Sequence, residues 1–355
     1  MISTDYINIF KLKKESLDRI DKHLHQFLKE WKNKSTIVST HTSGSTGIPK
    51  KIDIEKKHMI ASAKATIDYF KLKEGNTFLI CLPIKTIGGK MMLIRSLLLK
   101  GKIILIKPSK NPIENLNVNV DFCAVTPMQL INCLKDEFKL NYIDKLIIGG
   151  APLSHSIIEV LKPLKTKCYH TFGMTETISH IAVKKLNNTE TIEDFRCLNH
   201  VQISSNSERN LIVKSNELGI ESITTNDIVE MTGNNTFKWI GRVDNIVNSG
   251  GVKISPESIE KELAKTLPID TFFTTSISDL ELGEKLILIS KSKNKLPSIL
   301  KAIQSISNKI LRPKSIYIID DFEYTLSCKI NRPISKEIAL KTKAIQNLHN
   351  DSNTT

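Results

Sequence analysis

Thr42-Ser43-Gly44-Ser45-Thr46-Gly47-Ile48-Pro49-Lys50 gathers two glycines, four hydroxyls and a lysine into nine residues between apolar runs. Glycines let backbone N–H groups turn toward an anion with no side chain in the way, the hydroxyls add donors, and Lys50 adds charge, so the stretch reads as a phosphate-holding loop. It is not a Walker A loop, because the glycines stand three positions apart and the lysine follows Pro49. Read by itself, a Ser/Gly/Thr linker fits as well.

Around that loop the chain alternates apolar strands with helical segments. Leu12, Leu17, Ile20, Leu24, Phe27, Leu28 and Trp31 recur at helical spacing, which predicts one opening helix before a strand over Thr36–His41. Downstream the pattern predicts strands at Thr77–Leu82, Lys102–Ile106, Asp121–Val125, Leu146–Ile148 and Lys167–His170. Helices over Ile87–Lys100, Pro127–Leu134 and Ser154–Leu161 separate them. This is the rhythm of an α/β sheet with crossover helices, whose ligands sit beyond the carboxyl ends of the strands. From about Val201 short strands dominate (Leu211–Lys214, Ile223–Thr225, Ile228–Met231, Phe237–Ile240), giving a β-rich subdomain. After Asp244 follows an α+β module. The expected division is 1–243, 244–345 and a frayed polar tail over 346–355.

Bulk composition narrows the function. The 355 residues carry a net charge of +14, but the lysines are scattered rather than blocked, and no nucleic-acid signature accompanies them. Cys81, Cys123, Cys133, Cys168, Cys197 and Cys328 show no metal or disulfide spacing. The N-terminal residues lack a signal pattern, and the longest apolar stretch, Met91–Leu99, is interrupted by Arg95 and Ser96, so neither export nor membrane insertion is expected and the cytoplasm is the default. The sequence leaves the oligomeric state open.

Four further segments carry candidate chemistry. Phe172-Gly173-Met174-Thr175-Glu176 puts a carboxylate at a strand end, suited to Mg²⁺ bridging nucleotide phosphates or to a helix cap. Asp227, in Thr225-Asn226-Asp227, fits ribose hydroxyls or an Asx turn. Gly241-Arg242-Val243-Asp244 with Gly250-Gly251 reads as a hinge or as an ordinary hairpin turn. Lys329, in Ser327-Cys328-Lys329-Ile330-Asn331-Arg332, sits in a polar loop where most lysines are merely solvated.

In their order and spacing, from residue 42 to residue 332, the five segments resemble the motifs of the adenylate-forming superfamily of acyl-CoA synthetases, nonribosomal-peptide adenylation domains and luciferases. The resemblance implies a layered α/β N-terminal domain with a β-rich subdomain, and a small mobile C-terminal lid. The implied reaction has two steps: a carboxylate attacks the α-phosphate of Mg·ATP to give an acyl-adenylate and pyrophosphate, then coenzyme A displaces AMP. By position, Thr42, Ser43, Gly44, Ser45, Thr46, Gly47 and Lys50 would cradle the β- and γ-phosphates. Thr175 and Glu176 would hold phosphate and Mg²⁺. Gly150, Ala151, Phe172, Gly173 and Met174 would line the nucleotide site, and Asp227 and Arg242 would grip the ribose. Lys329 would neutralise the first transition state, Asp244 would be the pivot, and Gly250 and Gly251 would line the pantetheine channel.

Within the superfamily, Gly149-Gly150-Ala151-Pro152-Leu153 and Gly173-Met174-Thr175-Glu176-Thr177 look most like the o-succinylbenzoate–CoA ligases of menaquinone biosynthesis. Such an acid has a carboxylate that is not activated and needs a cation; Lys85 and Arg95, flanking Gly88-Gly89, are the candidates. With Gly149 they form the expected acid site. Three features depart from the family pattern: only 41 residues precede the loop, Thr86 stands where many relatives have histidine, and Cys328 replaces the glycine before the lysine. A ligase for another aryl or short acyl acid, a carrier-loading enzyme, or a silent nucleotide-binding protein are the competing readings.

Overall fold

The computed structural model describes residues 1–5, 8–41, 50–153, 155–189, 194–268, 271–291, 296–324 and 330–347. Strand β1 (Ile2–Asp5) leads into helices α1 (Lys14–Ile20) and α2 (Leu24–Lys32), then the ladder of β2 (Ile37–His41) and β3 (Lys51–Glu55). There follow α3 (Lys56–Phe70), β4 (Thr77–Ile80), α4 (Ile87–Leu98), β5 (Lys102–Leu105), β6 (Val120–Val125), α5 (Pro127–Cys133), α6 (Glu137–Leu140), β7 (Ile143–Gly149), α7 (His155–Leu161), β8 (Lys167–Met174) and β9 (Ser179–Lys185). The β-rich stretch comprises β10 (Phe195–Cys197), β11 (Gln202–Ser205), β12 (Asn210–Ser215), β13 (Ile220–Gly233) and β14 (Thr236–Arg242).

These strands form one twelve-stranded sheet in the order β1-β5-β4-β6-β7-β8-β9-β10-β14-β13-β12-β11. Its β5-β4-β6-β7-β8 section is parallel. Parallel strands covered on both faces by crossover helices are apolar on both faces, and the two sets alternate here with period two. Phe78, Phe122 and Ile147 join one core, with Met59 and Phe70 of α3 and Met91 of α4. Leu79, Cys123, Leu146 and Ile148 join the other, with Leu130 of α5 and Leu161 of α7. The loops after β7 and β8 therefore emerge side by side at the carboxyl edge.

A second sheet, built from β15 (Val247–Ser249), β16 (Val252–Ile254), β17 (Phe272–Asp279), β18 (Gly283–Ser290), β19 (Ser315–Ile318) and β20 (Gln346–Asn347), begins five residues after the first sheet ends. It is packed with α8 (Pro256–Leu263), α9 (Leu296–Ser305) and α10 (Arg332–Leu340) around cores of its own. Arg332 Nη2 pairs with Glu260 Oε2 at 2.7 Å, joining α10 to α8. Gln346–Asn347 pairs with β19, inside the stretch expected to fray.

Several expectations need correction. The opening helix is two helices, because Asp21 takes an extended backbone and its carboxylate accepts from His23 N and Ile84 N, both at 2.8 Å. The apolar spacing runs across the break because both helices bury the same side. Helix α3 was missed: its buried stripe is Met59, Ser62, Ala63, Thr66 and Phe70, in which two hydroxyls hide the apolar period. Those hydroxyls are satisfied inside, Ser62 Oγ donating to Ile178 O at 2.7 Å and Thr66 Oγ1 to Ser62 O at 3.1 Å. The two strands expected at 223–225 and 228–231 are one long strand with bulges, and the strand expected over Asn245–Val247 is a 3₁₀ turn followed by β15. The five described cysteines are buried free thiols; Cys328 lies outside the described residues.

Candidate functional site

Two of the expected site segments, 42–49 and Lys329, lie outside the described residues. Their flanks are placed. His41 pairs with Lys51, so the 42–50 stretch connects β2 to β3, with Lys50 at its exposed end. A Tyr324–Ile330 bridge and the bond from Asn331 N to Glu323 O, 2.7 Å, close the stretch that carries Lys329.

The segment 172–176 extends β8 and then turns into β9, rather than following the strand as the sequence suggested. Thr175 is buried and Glu176 is exposed in the turn, which places a carboxylate in water at the rim of the carboxyl edge. Thr177 Oγ1 accepts from Met174 N at 2.9 Å and pins the turn from inside. Gly173 fits because the strands close up at a register shift: a Cβ there would stand 2.2 Å from Ser179 O and 2.5 Å from His180 Cα. Backbone atoms cannot yield cheaply, so Gly173→Ala is expected to lower stability by about 3 kcal/mol, read from the urea midpoint.

Beside this turn lies the Gly149-Gly150-Ala151 loop. Gly149 pairs with Thr171, whose hydroxyl would be 2.4 Å from a Cβ at Gly149, and Gly150 has φ +95. His170 Nε2 donates to Ala151 O at 3.1 Å, and burial pushes this imidazole down to about 4, which keeps it neutral. The Gly149-Gly150-Ala151 loop is thus fastened to strand β8, which leads into the turn.

Helix α4 brings the acid-site candidates. Thr86 caps it, its Oγ1 accepting from Gly89 N at 3.3 Å and donating to Pro83 O at 2.7 Å. Gly88 and Gly89 lie in the first turn, where a Cβ on Gly89 would meet Pro83 O at 2.3 Å. The two cations separate sharply: Lys85 is exposed ahead of the helix, whereas Arg95 is 1% exposed. Arg95 Nη2 donates to Ser179 Oγ at 3.3 Å, at the foot of the Thr175–Ile178 turn, and its buried Nε has no hydrogen-bond partner. Among the described residues no carboxylate pairs with it, and burial pushes the guanidinium down to about 9. A buried cation left this way is costly to the fold.

On the β-rich side, Asp227 lies within β13 opposite Arg242, not in a turn. Trp239 Nε1 donates to Asp227 Oδ1 at 2.8 Å, and Arg242 Nη1 stands 3.7 Å from Asp227 Oδ2. Arg242 Nη2 also reaches Asp244 Oδ2 at 2.5 Å, so one guanidinium spans both acids at the joint between the sheets. Gly250 (φ +58) and Gly251 (φ +81) make the two-residue turn from β15 to β16, where both central residues need positive φ. Gly250 N donates to Leu282 O at 2.8 Å.

Sequence reasoning missed Ser179, His170 and Trp239, the partners that orient Arg95, Ala151 and Asp227. Ser179 lies three residues beyond Glu176, close enough for the motif to have suggested it. Among the described residues no cluster of metal-ligating side chains occurs and no helix is long and apolar enough to cross a membrane.

A family model described as AMP-binding enzyme matches residues 6–202. The chain is 24% identical over 273 residues to 2-succinylbenzoate–CoA ligase of Escherichia coli (strain K12), covering 73% of this chain and 59% of that protein. It thus spans about three fifths of this relative's length. Among solved structures it is 31% identical to an acyl-CoA synthetase (AMP-forming)/AMP-acid ligase II-like protein from Dyadobacter fermentans DSM 18053, with TM-score 0.63, covering 95% of this chain and 99% of that one. O-succinylbenzoate coenzyme A synthetase from Bacillus subtilis, solved with ATP and magnesium ion, shares the fold at TM-score 0.70 and 18% identity, covering 84% of this chain and 69% of that one.

Proposed function

The chain belongs to the AMP-binding enzyme family, and on that premise we propose that it is an ATP-dependent acid–CoA ligase whose acid is o-succinylbenzoate. The acid's carboxylate attacks the α-phosphorus of ATP, pyrophosphate leaves, and the CoA thiolate then displaces AMP from the acyl-adenylate. Neither step needs a covalent protein intermediate; both need charge stabilisation. In this reading residues 42–50 hold the departing phosphates, and Thr175 and Glu176 hold phosphate and Mg²⁺. The solvent-facing Glu176 carboxylate suits a hard cation that keeps several waters. Gly150, Ala151 and Phe172 to Met174 line the nucleotide site, Asp227 and Arg242 bind ribose, and Lys329 meets the α-phosphate. Residues 1–243 and 244–345 are the two domains, Asp244 the pivot, and the Gly250-Gly251 turn the wall of the CoA channel.

The observation that carries the substrate assignment is Arg95. A buried guanidinium with an unpartnered Nε, at the foot of the turn bearing Thr175 and Glu176, suits an acid with a second carboxylate that is not activated. Lys85, exposed, does not share that property. Pyrophosphate release measured over a panel of acids tests the reading: o-succinylbenzoate is expected to be turned over fastest, and aryl acids with one carboxylate slowly. Release with only a different acid would move the substrate. ATP binding with release for no acid would make the protein a silent nucleotide binder, with Cys328 as the first residue to suspect.

A further inference from the structure

The ribose-binding carboxylate of this reading is held by a residue that the motifs leave without a role. On β14, Trp239 and Arg242 stand three positions apart, so in a regular strand their side chains would point to opposite faces of the sheet. The ladder prevents this: Ile228 pairs with Gly241 and Val229 with Trp239, leaving Ile240 as the extra residue of a bulge. Asp227 lies opposite Arg242 and Val229 opposite Trp239, so the bulge turns both Trp239 and Arg242 toward the face that carries Asp227. The consequence is the 2.8 Å bond from Trp239 Nε1 to Asp227 Oδ1, made at a carboxylate that is 8% exposed. Asp227 N is in turn tied to Thr225 Oγ1 at 3.1 Å, so the backbone beneath the carboxylate is fixed as well.

We infer that Trp239 is a positioning residue for nucleotide binding, its indole N–H fixing the Asp227 carboxylate so that the remaining acceptor sites face the ribose hydroxyls. This rests on Asp227 being the ribose ligand. The indole is a donor only, so it cannot compete with Asp227 for those hydroxyls.

The charged groups facing Asp227 are Arg242 of β14, Asp244 of the adjoining 3₁₀ turn and Glu257 of α8. Burial holds the Asp227 carboxyl above its ordinary range; the Trp239 bond and the Arg242 charge oppose that shift, while Asp244 and Glu257 add to it. Removing the indole donor therefore moves the carboxyl higher still. A protonated carboxyl is the poorer acceptor for two hydroxyls, so nucleotide affinity falls as the pH drops through its titration. In Trp239→Phe that fall begins at a higher pH.

The test is calorimetric titration of the full chain with AMP between about pH 5 and pH 8, for wild type and Trp239→Phe. The variant is expected to bind AMP about tenfold more weakly at neutral pH, the loss of one hydrogen bond to a charged group, with the pH dependence displaced upward. Carboxyl ¹³C NMR of Asp227, without nucleotide, is expected to show the same upward displacement. Wild-type affinity and an unchanged profile in the variant would overturn the inference, as would an unmoved Asp227 titration. Should the wild-type protein bind no AMP, the ribose assignment itself fails, and the carboxyl titration still decides whether Trp239 holds Asp227.

Discussion

Arg95→Met is expected to lower kcat/KM for o-succinylbenzoate by about 10²- to 10³-fold, the cost of leaving a desolvated carboxylate without its cation. The affinity for ATP should stay as it is, because in the proposed reading Arg95 serves the acid, and among the described residues its guanidinium bonds only Ser179, next to the Thr175–Ile178 turn. An acid without the second carboxylate should lose little. Stability is expected to move the other way. A buried, unpaired charge is costly to the fold, and an apolar side chain of similar length removes that cost while keeping the packing of α4. Lost activity with an unchanged or raised melting temperature is the signature of a residue kept for its ligand; lost activity together with a lowered one would mark Arg95 as structural. Rates with paired mono- and di-acids, alongside thermal melts, read both at once.

Lys329→Ala carries the second large effect. A lysine that meets the α-phosphate only while the acyl-adenylate forms contributes to that transition state alone, so adenylation should fall by roughly 10²- to 10³-fold, as for loss of one preorganised charge-stabilising donor. CoA transfer from supplied acyl-adenylate should stay near the wild-type rate. Single-turnover measurements of the two half-reactions separate these outcomes, and equal losses in both would contradict the division of labour between the two units. Cys328→Gly offers a companion measurement. If the family's glycine serves the loop conformation, restoring it should raise the adenylation rate and leave CoA transfer untouched.

Much of the fold was legible because parallel strands covered on both faces read as short apolar runs, and Phe78, Phe122 and Ile147 needed only their period to be placed. What escaped notice did so for identifiable reasons. Helix α3 buries Ser62 and Thr66, whose hydroxyls bond inside the core, so its buried face does not look apolar. The opening helix breaks at Asp21 through a bond to Ile84 N that lies 63 residues away, beyond any local pattern. At the candidate site, residue types and the family resemblance proposed the motif residues, but not the side chains that support them. Lys85 and Arg95 were equivalent cations on paper and differ only through burial, which a tertiary structure decides. Trp239 faces Asp227 through a bulge, and a one-residue irregularity in register leaves no mark in composition or spacing.

As proposed, the chain joins o-succinylbenzoate to coenzyme A while ATP is cleaved to AMP and pyrophosphate. Mass spectrometry of a reaction containing the full chain, ATP, Mg²⁺, CoA and o-succinylbenzoate tests it most directly. The expected result is o-succinylbenzoyl-CoA and AMP in equal amounts, with formation of both dependent on all four additions. AMP accumulating with no thioester, or a thioester formed only from another acid, would contradict it.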